Sequence, residues 1–349
     1  MSASSNSAKP LTSAELTAAV QPLAQGILKG ELVALSRAIT LVENELANKQ
    51  QQAHALLSLL MPHTGGSVRL GITGVPGVGK STFIEAFGLH LAEDLGLRVA
   101  VLAIDPSSQR TGGAILGDKT RMERLSQHPR VFIRPTAASD YLGGTHRRTR
   151  ETLLLCEAAG YDVVLIETVG VGQSETAVAG MVDFFLLLML AGAGDELQGI
   201  KRGIMEMADA LLITKADGDN LMAAKRAKAE YEAALHLFPP TQSGWVPQVG
   251  LCSALSGSGI PEAWQMVQAY LDHTKANGFL QRHRQAQQLR WFREGFAEAV
   301  LQWLQAGPMG TMLADLELQV DARNLHPQDA VNRAMAHLQA HWQPHPPTP

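Results

Sequence analysis

At residues 74–81 the chain reads GVPGVGKS, which fits the phosphate-binding loop pattern G-x-x-x-x-G-K-[ST]. Residues 68–73, just before it, form a short apolar segment that predicts a buried strand, and residues 82–95 have helical spacing. A strand, a glycine loop and a helix thus follow one another in the order that this kind of loop requires. The stretch predicts a domain that binds a nucleotide through its phosphates.

The loop residues have distinct predicted roles. The glycines let the backbone fold so tightly that successive N–H groups and the helix N-terminus point at one anion. Lys80 is predicted to reach the β- and γ-phosphates, Ser81 to offer its hydroxyl to Mg²⁺, and Thr82 to hydrogen-bond the α-phosphate. The predicted phosphate-binding residues are Gly74, Val75, Pro76, Gly77, Val78, Gly79, Lys80, Ser81 and Thr82.

The composition is that of a soluble globular protein. Of the 349 residues, 46% are hydrophobic and 18% are charged. The net charge of −4 does not suggest binding to nucleic acid, which usually needs an excess of positive charge. Two cysteines are too few for a disulfide framework or a cysteine-based metal site, which favours a reducing compartment. We therefore expect small molecules or proteins as partners, and no nucleic acid.

The sequence does not predict association with a membrane. Residues 1–7 contain no apolar stretch, so the N-terminus is expected to be a tail and not a signal peptide. The apolar run at residues 184–193 is about half as long as a bilayer span needs, and it suits a strand that is buried on both faces. The expected location is the cytoplasm, with no membrane partner.

Short apolar runs alternate with amphipathic stretches through the middle of the chain. This alternation predicts an α/β fold: a doubly wound, mostly parallel sheet of the P-loop NTPase type, with N-terminal and C-terminal helical extensions. The predicted strands cover residues 68–73, 98–104, 131–133, 162–166, 184–190, 210–213 and 248–252. The expected parts of the chain are a disordered tail (1–12), an N-terminal helical extension (13–66), a P-loop nucleotide domain (67–276) and a C-terminal helical arm with a proline-rich tail (277–349). The helical arms could pack on their own domain or pair with a second copy of the chain.

Acidic residues stand where a nucleotide site needs them. A predicted buried strand ends at Glu167, whose carboxylate can hold Mg²⁺ directly or through water, and the N–H of Gly170 can face the γ-phosphate. Asp105 ends the strand before it, and Asp118 lies in a glycine-rich stretch that could be a switch loop. Ser81, a phosphate oxygen and some of these three acids could complete a Mg²⁺ shell. Each aspartate could instead be a helix N-cap, and Glu167 could merely cap the next segment.

The choice of base is predicted from the tetrapeptide Thr214-Lys215-Ala216-Asp217, at the end of another strand. Asp217 can accept hydrogen bonds from both N1–H and N2–H₂ of guanine, which adenine cannot supply, while the stem of Lys215 lies along the base. The usual first residue of this loop is Asn, so Thr214 predicts a weaker tie to the phosphate loop. After the last strand, a backbone N–H could meet guanine O6 within Ser253, Ala254 and Leu255.

Taken together, these motifs resemble the methylmalonyl-CoA mutase-associated GTPases, a family whose older name, ArgK, was given for a supposed role in arginine transport. The resemblance covers about residues 30–300. It rests on GVPGVGKST at 74–82, DPSS at 105–108 with GDKTRM at 117–122, ETVGVGQSE at 167–175, GDELQGIK at 194–201 and TKAD at 214–217. It implies a homodimeric enzyme that hydrolyses the β–γ phosphoanhydride of GTP and docks on an adenosylcobalamin-dependent methylmalonyl-CoA mutase. It also implies that the enzyme gates cofactor loading and protects the mutase from inactivation.

The same resemblance assigns roles to residues. Asp105, Asp118 and Glu167 would surround Mg²⁺ and the γ-phosphate, forming with Lys80 the predicted catalytic set, and residues 194–201 would be an extra switch loop facing the mutase. No residue is identified as positioning the attacking water. Gln173 and Glu175 lie near the Gly170 motif, and an arginine could stabilise charge only if a loop closes, the candidates being Arg121, Arg147 and Arg148.

Two other functions stay open. A metal-delivery GTPase would need a cluster of cysteine and histidine ligands, and the sequence shows its histidines scattered. A nucleotide-dependent kinase linked to amino-acid transport would need an aspartate loop that receives a hydroxyl proton, which the sequence does not offer.

Overall fold

The computed structural model describes residues 12–105, 122–137, 142–168, 174–192 and 202–341. The chain divides into two compact units, Met1–Arg284 and Gln285–Pro349. The first unit contains the sheet and the helices that precede it, and the second unit is helical.

Within the described residues, three helices precede the first strand: α1 (Ser13–Leu28), α2 (Leu32–Val42) and α3 (Ala47–Leu60). A capping box starts α1, because the Glu15 N–H donates to Thr12 Oγ1 at 3.3 Å and the Thr12 N–H donates to Glu15 Oε2 at 2.8 Å. Such a cap stabilises a helix by about 1 kcal/mol. The apolar faces of the helices are buried, as at Leu35 and Ile39. The helical spacing predicted for this part of the chain is confirmed.

A single parallel sheet forms the core of the first unit. In the part of the chain that the structure describes it has seven strands in the order β3-β2-β4-β1-β5-β6-β7. All the predicted strands are present, although the third extends four residues beyond its predicted end. The strands are β1 (Val68–Gly74), β2 (Val99–Asp105), β3 (Val131–Ala137), β4 (Val163–Thr168), β5 (Phe184–Leu190), β6 (Ala210–Thr214) and β7 (Gln248–Leu251).

Helices cover both faces of this sheet. They are α4 (Lys80–Leu89), α5 (Glu123–Gln127), α6 (Leu142–Ala158), α7 (Ser174–Ala179), α8 (Arg202–Met207), α9 (Leu221–Leu235) and α10 (Ile260–Ala276). On β5, Leu186 packs in one apolar cluster with side chains of α4 and α10, whereas its neighbour Leu187 packs in another with side chains of α9. Because successive side chains of a strand point to opposite faces, the sheet is doubly wound, as predicted.

The register of the sheet decides which residues lie side by side at the carboxyl ends of its strands. β1 lies between β4 and β5, with Ile72 aligned to Glu167 and Gly74 aligned to Leu188. On the far side of β4, Ala103 of β2 is also aligned to Glu167. The carboxyl ends of these strands therefore reach the same edge, which is where ligands bind in open α/β sheets.

Paired buried charges lie at the opposite ends of the strands, where β1 and β5 begin. Arg69, at the start of β1, makes two hydrogen bonds of 2.8 and 2.9 Å to the Glu157 carboxylate, and its backbone N–H donates to Asp183 at 2.9 Å. Arg284 closes on the same Asp183 with bonds of 2.7 and 2.6 Å. Buried charges are tolerated when they are paired and hydrogen-bonded in this way. Arg284 lies on helix α11 (Phe279–Ala306) and is the last residue of the first unit.

The second unit consists of most of α11 with α12 (Pro308–Asp321) and α13 (Pro327–His341). A small apolar cluster holds it together, formed by Leu316, Leu325 and Ala330. Along α11, Phe292 and Phe296 are 67% and 62% exposed, one turn apart. Among the described residues, every helix falls short of the length or the apolar character needed to cross a membrane.

Candidate nucleotide-binding site

The phosphate loop joins the end of β1 to the start of α4, as the sequence predicts. Gly77 and Gly79 have φ values of 79° and 92°, in the left-handed region that favours glycine. A Cβ atom added to Gly74 would lie 2.6 Å from the Leu188 carbonyl oxygen of β5, so the backbones approach too closely for a side chain. These glycines give the loop its tight path, and the N-terminus of α4 follows it directly.

Lys80, the first residue of α4, lies over this loop. Its Nζ donates to the carbonyl oxygen of Gly74 at 2.8 Å and contacts that of Val75 at 3.4 Å. Burial lowers the pKa of Lys80, and the charges of Glu167 and Glu175 oppose that lowering. The ammonium group thus sits among loop carbonyls and two carboxylates, where it can turn to an incoming phosphate.

Ser81 and Glu167 meet beside the loop. The Ser81 hydroxyl donates to Glu167 Oε1 at 3.3 Å, and Glu167 is only 9% exposed. Two adjacent hard oxygen atoms suit Mg²⁺ chemically. Asp105 ends β2 on the far side of β4, so its backbone reaches the same edge, while Asp118 lies outside the described residues. Within the described ranges, no group of three or more His, Cys, Asp and Glu residues could hold a metal ion.

A hydrogen bond that sequence reasoning missed joins β4 to β1 behind the loop. The Thr168 hydroxyl donates to Thr73 Oγ1 at 2.8 Å, and both residues are buried. Each threonine lies at the end of its strand, next to Glu167 and Gly74 respectively. The pair fixes the relative position of the two strand ends, but no sequence signal links residues so far apart.

Thr214 connects the loop predicted to bind guanine to the phosphate loop. Its hydroxyl lies 2.8 Å from the Val78 carbonyl oxygen and 3.2 Å from that of Met189. The substitution of threonine for the usual asparagine therefore keeps a connection between the loops, made by a single hydroxyl donor. A second connection comes from Lys215, whose Nζ donates to the Gly77 carbonyl oxygen at 2.9 Å.

Asp217 and Ser253, both predicted to contact guanine, lie together. The Ser253 hydroxyl donates to Asp217 Oδ2, and the Ser256 N–H donates to Ser253 Oγ at 3.2 Å. The Ala216 N–H donates to the Cys252 carbonyl oxygen at 3.0 Å, which holds the two loops side by side. Ser253 is buried, Ala254 is partly buried and Leu255 is 87% exposed. The arrangement leaves acceptor sites on the Asp217 carboxylate for a base.

Two of the candidate arginines, Arg147 and Arg148, make contacts outside the nucleotide site. Arg147 contacts His54 at 2.6 Å and Glu151 at 2.9 Å, and Arg148 contacts Glu45 at 2.6 Å. His54 and Glu45 belong to the N-terminal helical region, so both arginines connect α6 to that region.

Val75, Pro76 and Thr82 occupy the loop and the first turn of α4. Other candidates lie outside the described residues, namely Arg121, Gly170, Gln173 and residues 194–201.

Glu175 is a further acid of the site. It lies in the first turn of α7 and is 1% exposed. Its charge acts on Lys80 in the direction that keeps the ammonium protonated. The sequence placed it near the Gly170 motif without giving its reach.

Comparison with known proteins finds similar GTPases. The family model described as methylmalonyl Co-A mutase-associated GTPase MeaB matches residues 35–309. The GTPase ArgK of Escherichia coli strain K12 is 51% identical over 79% of this chain and 83% of its own length. A Mus musculus protein named methylmalonic aciduria type A homolog, mitochondrial, is 47% identical over 83% of this chain and 72% of its own length.

A solved structure is similar as well. The crystal structure of a LAO/AO transport system kinase is 40% identical, with a TM-score of 0.72, and the alignment covers 92% of this chain and 98% of that one. The strand order, the loop geometry and these similarities agree with one another. The chain belongs to the methylmalonyl-CoA mutase-associated GTPase family and is a P-loop GTPase.

Proposed function

We propose that this GTPase is a chaperone for an adenosylcobalamin-dependent methylmalonyl-CoA mutase, gating the loading of the cofactor and protecting the mutase from inactivation. The observation that carries the proposal is the match to the mutase-associated family over residues 35–309, together with the phosphate loop and the loop at residues 214–217, which lie at the carboxyl ends of the parallel strands. The name of the mouse relative, which refers to methylmalonic aciduria, supports the same partner.

The described residues support binding and hydrolysis of GTP by positioning and charge. Lys80 would move from the Gly74 carbonyl to the β- and γ-phosphates, since a phosphate oxygen is a stronger acceptor for an ammonium group. Asp217 would accept the two guanine donors while Ser253 holds its carboxylate in place. GTP is therefore the proposed substrate, with ATP rejected because adenine lacks those donors.

Mg²⁺ is the proposed metal, and the Ser81–Glu167 contact is the observation that fits it. When bound, Mg²⁺ would neutralise negative charge on the phosphates. We propose that Ser81 and Glu167 hold it, with Asp105 and Asp118 completing its shell or binding its waters.

We also propose that the protein acts as a homodimer. Apolar residues recur on α11 at spacings of three, four and seven, and they are 49–67% exposed: Leu289, Phe292, Phe296 and Trp303. A row of exposed large apolar side chains along one helix favours pairing with another apolar surface, here that of a second copy of the chain. Residues 194–201 are the proposed mutase-facing loop, on the resemblance of their sequence to the family.

The test is hydrolysis of GTP by the purified protein, with ATP as comparator, with and without an adenosylcobalamin-dependent methylmalonyl-CoA mutase. We expect slow hydrolysis that depends on Mg²⁺, prefers GTP and is accelerated by the mutase. Lys80→Ala should abolish it, while Lys275→Ala, which removes an exposed ammonium on α10, should leave it unchanged. An equal rate of GTP hydrolysis with and without the mutase would refute the chaperone role, but it would still be consistent with a GTPase.

A second candidate function is a kinase, favoured by the name of the similar solved structure. It predicts transfer of the γ-phosphate of a labelled nucleotide to a protein or small molecule, whereas the GTPase releases inorganic phosphate. Labelled product other than phosphate would support the kinase, and its absence while phosphate accumulates would exclude it.

A further inference from the structure

A cavity of about 580 Å³ opens at the edge of the sheet opposite the phosphate loop. It lies where β5 and β6 begin, and the loop between α9 and β7 forms one wall. Its volume is within the range of small-molecule sites, about 300–1,000 Å³. The phosphate loop and the loop at residues 214–217 lie at the carboxyl ends of the strands, so the cavity is separate from the proposed GTP site.

Aromatic rings and carboxyl groups stand among the apolar side chains that line the cavity. The rings belong to Phe185, Phe238, Trp245, Tyr270 and Phe279, and the carboxyl groups belong to Asp183, Glu206 and Asp209. The described residues that line the cavity include neither lysine nor arginine. Rings present a negative face to cations, and carboxylates add to that potential, so the lining favours a positively charged ligand.

Asp209 is the carboxyl group that best suits a ligand at the floor. Asp183 already has a cationic partner, because Arg284 donates to both of its oxygen atoms. Asp209 Oδ2 accepts a hydrogen bond of 2.9 Å from the Phe185 N–H, and the Tyr270 hydroxyl also bonds to this carboxyl. A carboxyl group has about four acceptor positions, so two bonds leave room for a ligand donor.

We propose that this cavity binds a small organic ammonium compound with an aromatic or other apolar body. The body would lie between the rings, and the ammonium would donate to Asp209. This site is additional to the GTPase activity and does not depend on the mutase proposal.

The protonation state of Asp209 provides an independent signature. Burial raises the pKa of Asp209 to about 7, and the charge of Asp183 adds to the rise, while the bonds from Phe185 and Tyr270 oppose it. The other titratable groups that line the cavity are His236 and Glu206 on one side and His283 on α11. An ammonium ligand needs the ionised carboxylate, so its affinity should rise about tenfold between about pH 6 and pH 8.

The experiment titrates the full-length protein with 2-phenylethylamine and with its neutral analogue 2-phenylethanol, followed by calorimetry and ligand-observed NMR. We expect saturable binding of the amine, about tenfold or more stronger than that of the alcohol, since only the amine pairs with a buried carboxylate. Binding of the amine should persist in saturating GTP. The pH dependence of this binding can be measured in the unaltered protein.

Asp209→Asn keeps the shape of the side chain and should remove both the preference for the amine and the pH dependence. Asp272→Asn, which changes an exposed carboxylate on α10, should preserve them. Absence of saturable amine binding, equal binding of amine and alcohol, displacement by GTP, or an unaffected Asp209→Asn variant would each overturn the proposal. If that variant fails to fold, a flat pH series in the unaltered protein would do the same.

Discussion

The hydroxyl of Thr214 lies 2.8 Å from the backbone carbonyl oxygen of Val78, so a hydrogen bond joins the loop proposed to bind the base to the phosphate loop. Both Thr214 and Val78 are buried. The bond fixes one binding loop against the other before any nucleotide arrives. Binding of the base and binding of the phosphates are therefore expected to depend on each other.

Thr214→Val should weaken GTP binding about five- to tenfold, because it leaves the buried Val78 carbonyl without this donor and loosens the phosphate loop. Equilibrium binding of a fluorescent GTP analogue would measure the change. Thr40→Val is the matched control, since the Thr40 hydroxyl bonds only within helix α2, to Ser36. A Thr214→Val protein with unaltered affinity would show that the bond plays no part in binding.

Asp217→Asn should exchange base specificity. The amide offers one acceptor and one donor where the carboxylate offered only acceptors, so it suits xanthine, whose C2 position carries an oxygen. GTP affinity should fall about a hundredfold, and XTP should become the better ligand. Competition between GTP and XTP for the same fluorescent analogue would measure this, and an equal loss of both would instead indicate a collapsed loop.

Glu175→Gln should shift the alkaline limb of the pH profile of GTP hydrolysis. Burial already lowers the pKa of Lys80, and the negative charge of Glu175 raises it again. Without that charge the pKa falls further, so the ammonium is lost at a lower pH and kcat/KM declines earlier as pH increases. Glu123→Gln, at an exposed position on helix α5, is the control. An alkaline limb that stays in place would show that Glu175 does not act on Lys80.

Asp209→Asn should change the dependence of stability on pH. Burial raises the pKa of Asp209 to about 7 from an ordinary value of 3.8. Between these two values the folded protein holds a proton that the unfolded chain has lost, so this residue stabilises the fold less as pH rises. The variant should therefore gain stability relative to the unaltered protein from about pH 5 to pH 8, by on the order of a few kcal/mol. Urea unfolding at both pH values would measure it, and a constant difference would contradict the assignment.

Much of the fold was predictable because its strands are apolar on both faces and are separated by amphipathic helices. β5, with the sequence FFLLLML, is the clearest case, since both of its faces are buried. The order of the strands was not predictable, because pairing joins segments such as β1 and β4 that lie about a hundred residues apart.

The site was predictable where one local motif carries it, as at Gly74–Ser81. Contacts between distant segments gave no sequence signal, and the Thr73–Thr168 bond and the cavity around Asp209 are of this kind. The position of Thr214 was predictable, but its partner was not. Its hydroxyl reaches Val78 only because β1, β5 and β6 are neighbours in the sheet.

The closure of Arg284 on Asp183 has a practical consequence for anyone who shortens this protein. A fragment that stops at the end of α10 would leave a buried carboxylate without its cation at the base of β5, which typically costs about 3–5 kcal/mol. A fragment that runs past Arg284 keeps that carboxylate neutralised. The first turns of α11 therefore belong with the sheet, and the place to cut the chain lies beyond them.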